Sequence, residues 1–292
     1  MENLMDKDWK ILIVLDACRY DYFKKVYKKY FKGKLKKKKS IARKTIQWLY
    51  KTFPNEYEDL VYISANPFIN SKMTMYYKKK PINSKEKFFK VVNTWDWGWD
   101  EKFGTTPPDK VNSDFFKYYK KYPNKRFILH YMQPHMPYIP LLKRDDLING
   151  EFDKDKALFF FKYPAFKEFL YKFFPPPILK LARKLRSKLF TSFREVQKST
   201  DFKVILENYS LEKLRSFYME NLEFVLKHVS EVVDSVEEKI IITADHGELL
   251  GEHGLFGHAI EDRYVFKNSI EKKIKKNQYK ELLEIPEFYI NY

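Results

Sequence analysis

Ile11-Leu12-Ile13-Val14-Leu15 is an unbroken apolar run that stops at Asp16. A strand with one face in water alternates apolar and polar residues, so an uninterrupted run of this kind marks a strand covered on both faces. Leu60-Val61-Tyr62-Ile63, Phe127-Ile128-Leu129 and Ile240-Ile241-Ile242 read the same way. Between them lie stretches with helical spacing at Thr45–Phe53, Ser113–Tyr122 and Leu211–Val233. In the last of these, Leu214, Phe217, Tyr218, Leu222, Val225 and Val229 return to one side of the helix. Strands alternating with helices predict an α/β fold: a mostly parallel central sheet with helices on both faces. Ligands of such folds gather beyond the carboxyl ends of the strands, so the residues that follow each run are where chemistry is expected.

Those residues are rich in metal donors. The first run leads into Asp16-Ala17-Cys18-Arg19-Tyr20-Asp21. The third leads into His130-Tyr131-Met132-Gln133-Pro134-His135-Met136-Pro137-Tyr138. The fourth leads through Thr243-Ala244 into Asp245-His246-Gly247-Glu248, and then Gly251-Glu252-His253-Gly254-Leu255-Phe256-Gly257-His258. Five of the six histidines fall in the windows 130–135 and 245–258, far more than scattered placement gives. Asp16 and Asp245-His246 close different strands and can converge on one ion. Imidazole with carboxylate suits zinc, manganese or iron, and the single cysteine argues against a structural zinc cluster and against an internal disulfide.

The run Asp-His-Gly-Glu…Gly-Glu-His-Gly…Gly-His, preceded by Pro-His-x-Pro-Tyr and by an aspartate closing the first strand, resembles the sulfatase-like branch of the alkaline phosphatase superfamily. That branch includes arylsulfatases, lipoteichoic acid synthases and phosphoethanolamine transferases. The block from Asp16 to Asp21 also resembles archaeal sulfatase-like proteins. The resemblance implies an alkaline-phosphatase-like fold over residues 1–292, with a basic, aromatic-rich insertion at about 150–205 that matches no family block and would serve as lid or membrane contact. It implies Asp16, Asp245 and His246 as metal ligands, and His258 as a second-metal ligand or a substrate contact. His135, of the Pro-His-x-Pro-Tyr element, would touch the transferred group or protonate the leaving group, and His253 would join the substrate contacts.

The family's nucleophile opens a helix after the second block, which here selects Thr45 as nucleophile and metal-coordinated hydroxyl, with Ser40 on the same basic loop as the alternative. A helix start offers amide N–H groups to an oxyanion, and metal coordination ionises a hydroxyl that is inert at neutral pH. An ordinary threonine N-cap would give the same sequence. Cys18 is not the formylglycine precursor of arylsulfatases: it lacks the Cys-x-Pro-x-Arg signal and lies two residues past Asp16, where the family has a metal ligand rather than a nucleophile. A buried thiol is its expected role. That weakens a strict sulfatase reading and favours phosphoryl chemistry. The expected activity is metal-dependent hydrolysis or transfer of a phosphate ester, with sulfate esters second. The expected ion is zinc or manganese, with calcium and magnesium open. One ion is favoured over two, because no carboxylate lies near Gln133-Pro134-His135; a second site built on His258 and His135 with His130 or His253 stays open.

The net charge of +17 is concentrated. From Tyr22 to Asn55 twelve lysines and Arg43 meet no acid, and 156–194 is also strongly basic, while the rest of the chain is net acidic. Such patches attract anionic partners, or are simply solvated lysine surface. In 178–189, Ile178, Leu181, Leu185 and Leu189 oppose Lys180, Arg183, Lys184, Arg186 and Lys188, the pattern of a helix lying on an anionic membrane surface or of an insertion capping the domain. A nucleic-acid-binding protein with a remnant metal site is the competing class; metal removal would leave its affinity intact. Asn93–Asp100, with Trp95, Trp97 and Trp99, reads as a loop packed on the core more readily than as a sugar-binding wall, and Asn66 at the second strand end could approach the site. A hydrophobic fraction of 44% excludes whole-chain disorder. Met1–Asp8 does not read as a secretory signal, and no apolar run reaches the ~18–20 residues of a membrane span. The chain is therefore expected in the cytoplasm, free or peripheral at the inner membrane face.

Overall fold

The four apolar runs become adjacent strands. In the computed structural model, which describes residues 4–143, 202–258 and 279–292, they are β1 (Ile11–Leu15), β3 (Tyr57–Ser64), β5 (Arg126–Tyr131) and β6 (Ile240–Ala244). Three further strands complete a seven-stranded sheet: β2 (Lys34–Lys39), β4 (Phe88–Asn93) and β7 (Glu284–Ile290), in the order β2-β7-β6-β1-β5-β3-β4. β1 lies parallel between β5 and β6, with Leu15 level with Tyr131 and Ala244. β3 and β4 extend the parallel part, and β7 runs antiparallel to both β6 and β2. All five residues of β1 and all five of β6 are buried. Each such aliphatic side chain contributes roughly 1.5–3 kcal/mol of burial, which fixes these two strands in the centre.

The helices cover the sheet as the periodicity predicts, with shifted ends. α1 spans Tyr20–Val26, α2 Thr45–Thr52, α3 Pro108–Lys121 and α4 Leu211–Asp234. α3 begins before Ser113 because Pro108 occupies its first turn, where a missing N–H costs nothing. α4 starts on a Ser210 cap, whose hydroxyl accepts from the Lys213 N–H. Leu214, Phe217, Tyr218, Leu222, Val225 and Val229 of α4 join Ile11, Ile13, Leu15, Phe127 and Leu129 in the larger core; Trp48 and Leu49 of α2 meet Leu12, Val14, Tyr62 and Ile128 on the opposite face.

The basic stretch before Thr45 differs from its expectation as a loop. Lys34–Lys39 is an edge strand paired with β7, and Lys34, Lys36, Lys37 and Lys39 are exposed. Lysines on an edge keep a further chain from pairing there. Cys18 is a buried free thiol, as expected. In the tryptophan block, Trp95 is buried in the fold, whereas Trp97 is exposed with its indole N–H on Asp114. Among the described residues no helix is long and apolar enough to cross a membrane. The basic segment 156–194, and the insertion expected at 150–205 up to residue 201, lie outside the described residues.

Candidate metal centre

The turn after β1 places the first carboxylate. Asp16 donates its backbone N–H to the Tyr131 carbonyl, and Ala17 takes a left-handed conformation (φ 58°) that few non-glycine residues adopt. That twist aims the Ala17 N–H at Asp245 Oδ1, 3.1 Å away, and so ties the end of β1 to the end of β6. Asp245 Oδ1 also accepts the His246 N–H at 2.9 Å, which leaves Oδ2 to face inward. The His246 Nδ1 proton goes to the Gly247 carbonyl at 2.8 Å, fixing the tautomer whose Nε2 lone pair points into the site. Gly247 is required by close approach: a Cβ there would stand 1.9 Å from the Glu281 carbonyl oxygen, where the chain packs and Gly247 N–H bonds to Leu282 O.

His246 Nε2 lies 3.4 Å from Asp245 Oδ2 and 3.6 Å from Asp16 Oδ1. From β5, His130 directs Nε2 to 3.9 Å from Asp16 Oδ2 and 4.0 Å from Asp245 Oδ2. Asp245 Oδ2, His246 Nε2 and His130 Nε2 are all buried without a hydrogen-bond partner. Three orphaned polar atoms and a second carboxylate in one enclosed space are a costly arrangement unless a cation joins them. The donor set, carboxylates with imidazoles, fits a divalent metal ion. Burial and the neighbouring Asp245 push the Asp16 carboxyl well above the ordinary range. Burial acts the same way on Asp245, yet the His246 and His130 rings outweigh it and hold that carboxyl low. Burial lowers both rings to about 4, so they are neutral donors near neutral pH.

Thr45 is the first residue of α2. Lys44, in extended conformation, stands at the cap position, and the Thr45 hydroxyl does not cap the helix. It donates instead to Asp16 Oδ2 at 3.5 Å and accepts from Asn66 Nδ2 at 3.3 Å. Asn66 also donates to Asp16 Oδ2 at 2.6 Å, so this residue from the second strand end holds the carboxylate and the hydroxyl together. Ser40 is otherwise engaged: its hydroxyl donates to the Asp245 carbonyl and accepts the Ala42 N–H, a bracing role.

A second cluster forms beside the first. Glu248 Oε1 accepts from His258 Nδ1 at 3.0 Å, and Glu248 Oε2 lies 3.8 Å from His135 Nε2. The His258 ring is 4.3 Å from that of His246 and 5.0 Å from that of His135. Among the described residues two donor groups lie within 4.8 Å and could hold an ion: Asp16, His130 and Asp245, and His135, Glu248 and His258. The carboxylate missing from the Gln133-Pro134-His135 strand end is therefore supplied by Glu248 from another loop. Burial would lower His258, but Glu248 reverses this and raises it; His135, whose burial prevails, is lowered. His253 lies in a 3₁₀ turn, Glu252–Gly254; its side chain is outside the described residues.

Two buried braces went unread in the sequence. Asn221 of α4 donates to the Pro134 and His135 carbonyls and accepts the Ile139 N–H, holding the His135 loop. Arg19 makes two bonds to Asp21 and one each to Glu252 and the Glu248 carbonyl, tying α1 to the loop that carries His258. An arginine in the turn after a buried strand, with acids two residues on and in the last motif, was the available signal.

No family model matches the chain, and no curated protein matches it. Solved structures do. The soluble domain of lipooligosaccharide phosphoethanolamine transferase A from Neisseria meningitidis aligns over 96% of this chain and 75% of its own, at 11% identity and a TM-score of 0.50. The integral membrane form of that transferase aligns at 11% identity and a TM-score of 0.51, over 96% of this chain and 46% of its own. The likeness is one of fold: a mostly parallel central sheet with flanking helices, as in these alkaline-phosphatase-like transferase domains. Lipoteichoic acid synthase LtaP from Listeria monocytogenes also aligns, at 12% identity over 96% of this chain and 64% of its own, with a TM-score of 0.48. This chain thus spans three quarters of the alkaline-phosphatase-like soluble domain and under half of the whole membrane transferase.

Proposed function

We propose that the protein is a metal-dependent phosphoester transferase or hydrolase that works through Thr45. The observation that carries this reading is the set of orphaned atoms, Asp245 Oδ2, His246 Nε2 and His130 Nε2, next to an Asp16 carboxylate bonded to the Thr45 hydroxyl. Asp16, Asp245 and His246 would hold one zinc or manganese ion, with Thr45 alongside. Such an ion lowers the proton affinity of a hydroxyl and neutralises charge on a phosphoryl group. Thr45 supplies the nucleophile: its Oγ1, once deprotonated, attacks phosphorus as the bond to the leaving oxygen breaks, and the phosphoryl group rests on Thr45 until water or a second alcohol removes it. Asn66 keeps the hydroxyl aimed. His258, whose affinity for a proton Glu248 raises, donates to a phosphoryl oxygen, while His135 faces the leaving group.

Metal chemistry is favoured over a merely cationic cleft on magnitude. The slowest phosphate monoesters require up to ~10²¹-fold acceleration. A single hydrogen-bond donor supplies ~3–4 kcal/mol of that, and uniform lysine binding adds nothing to the chemical step. The phosphoethanolamine transferase names of the similar structures support a transferase over a simple phosphatase, and a lipid-borne phosphoester over a soluble one. The test is a panel of aryl phosphate monoesters, diesters and sulfate esters with zinc, manganese and calcium, run on wild type and Thr45→Ala. Phosphate turnover that needs metal and vanishes in Thr45→Ala is expected. Undiminished turnover in that variant would place the nucleophile elsewhere.

A further inference from the structure

We propose that His130 is itself a ligand of the ion, a protein donor delivered from inside the sheet, and that Tyr62 orients it. The inference rests on the reading that the Asp16–Asp245–His246 space takes a divalent cation. It deepens that reading because His130 lies within β5, one residue before its end, and is not among Asp16, Asp245 and His246, the three residues given to the ion above.

Histidine has no ordinary reason to stand where it does. β5 is buried on both faces, and His130 occupies it after Phe127-Ile128-Leu129 with no exposed surface. Only its Nδ1 is bonded, to the Tyr62 hydroxyl at 2.8 Å. Tyr62 is fully buried on β3 two residues before the Ser64 that pairs with His130, so two neighbouring strands hold the pair rigidly. Nε2 faces two carboxylates from beyond hydrogen-bonding range, at 3.9 and 4.0 Å. At those distances an N–H would reach neither oxygen, and a bare lone pair would face two carboxyl oxygens.

A cation placed among the three removes the conflict. Two atoms bonded to one zinc ion at about 2.0–2.2 Å can be no more than about 4.4 Å apart. His130 Nε2 lies 3.9 Å from Asp16 Oδ2 and 4.0 Å from Asp245 Oδ2, below that bound, and these three residues form one of the two donor groups within 4.8 Å among the described residues. Ligation through Nε2 puts the ring proton on Nδ1, where the Tyr62 oxygen accepts it. A hydrogen bond to the distal ring nitrogen is the usual device for fixing a metal-bound imidazole. His246 uses the Gly247 carbonyl for the same purpose.

The experiment uses the full chain stripped with chelator and reloaded with cobalt(II) for affinity and copper(II) for pulsed electron paramagnetic resonance, which counts bound imidazoles. Wild type is expected to bind with at least two imidazoles. His130→Gln should lose one of them and bind about hundredfold more weakly. Tyr62→Phe should keep the count and lose about tenfold in affinity. Thermal unfolding of the metal-free proteins checks that the variants fold; should His130→Gln not fold, the wild-type count and the Tyr62→Phe affinity decide. Wild-type affinity and an unchanged count in His130→Gln, or a single imidazole in wild type, overturns the inference while metal binding itself stands. A wild-type chain that takes up neither ion overturns both this inference and the reading it rests on.

Discussion

Asp16, Asp245, His246 and His130 stand on strands or directly after them, whereas His135, Glu248 and His258 stand on loops braced from the side. The inner group is enclosed, and three of its atoms, Asp245 Oδ2, His246 Nε2 and His130 Nε2, lack partners. The outer group satisfies itself, with Glu248 bonded to His258, and is open enough that about a fifth of the His135 and His258 side chains meets solvent. A closed, unsatisfied cluster suits a resident cation, which need not exchange in each cycle. A half-open, internally paired cluster suits groups that meet and release a substrate. The difference is one of scaffold: parallel strand ends position atoms rigidly, and loops leave room for exchange.

Substitutions that strike only one group sharpen the contrast. Thr45→Ala, beside the inner group, is expected to reduce phosphoester turnover by at least about 10³-fold while metal affinity changes less than about tenfold, as read by single-turnover assay and metal titration. Asp245→Asn should weaken metal binding by about hundredfold or more, measured by competition with a chelator. In the outer group, Glu248→Gln removes a charged partner from His258. Its expected cost is about 10- to 100-fold in kcat/KM with metal affinity within about threefold of wild type. Equal losses of metal from both substitutions would erase the distinction between the clusters.

A smaller effect concerns stability and pH. Burial holds His130 and His246 at about 4 in the folded chain, against 6.5 for a free ring. As pH falls through that window, the unfolded chain gains protons that the folded chain does not, so stability declines from about pH 6.5 toward pH 4. Asp16 works in the opposite sense, since its raised affinity lets the folded state take up a proton first. Urea titrations of the metal-free Asp16→Asn protein remove that opposition and should show the steeper decline. Metal at a hundred times its Kd should raise the melting temperature of wild type by about 5 °C.

Much of this arrangement was legible because burial on both faces of a strand forces an unambiguous residue pattern. The runs at 11–15, 60–63, 127–129 and 240–242 could hardly be anything else, and the carboxylates and imidazoles after them stand where parallel topology converges. Where a side chain's role depends on contacts distant in sequence, the pattern was silent. β2 hides as a lysine run because an edge strand need not be apolar. β7 hides behind Pro286 and two glutamates, one of them, Glu287, buried by its pairing with Lys7. Asn66 and Asn221 act through partners dozens of residues away, and Glu248 also faces His135 across the fold, which no local spacing reports. His130 did leave a signal: a histidine continuing a doubly buried strand needs a polar partner within the core.

The central claim is that the enclosed cluster, and not the half-open one, is the resident cation site. Anomalous diffraction from crystals of the protein loaded with a stoichiometric amount of zinc tests it most directly. The account predicts one strong peak among Asp16, Asp245, His246 and His130, with Thr45 beside it. A peak confined to His135, Glu248 and His258, or no peak at either cluster, would contradict it.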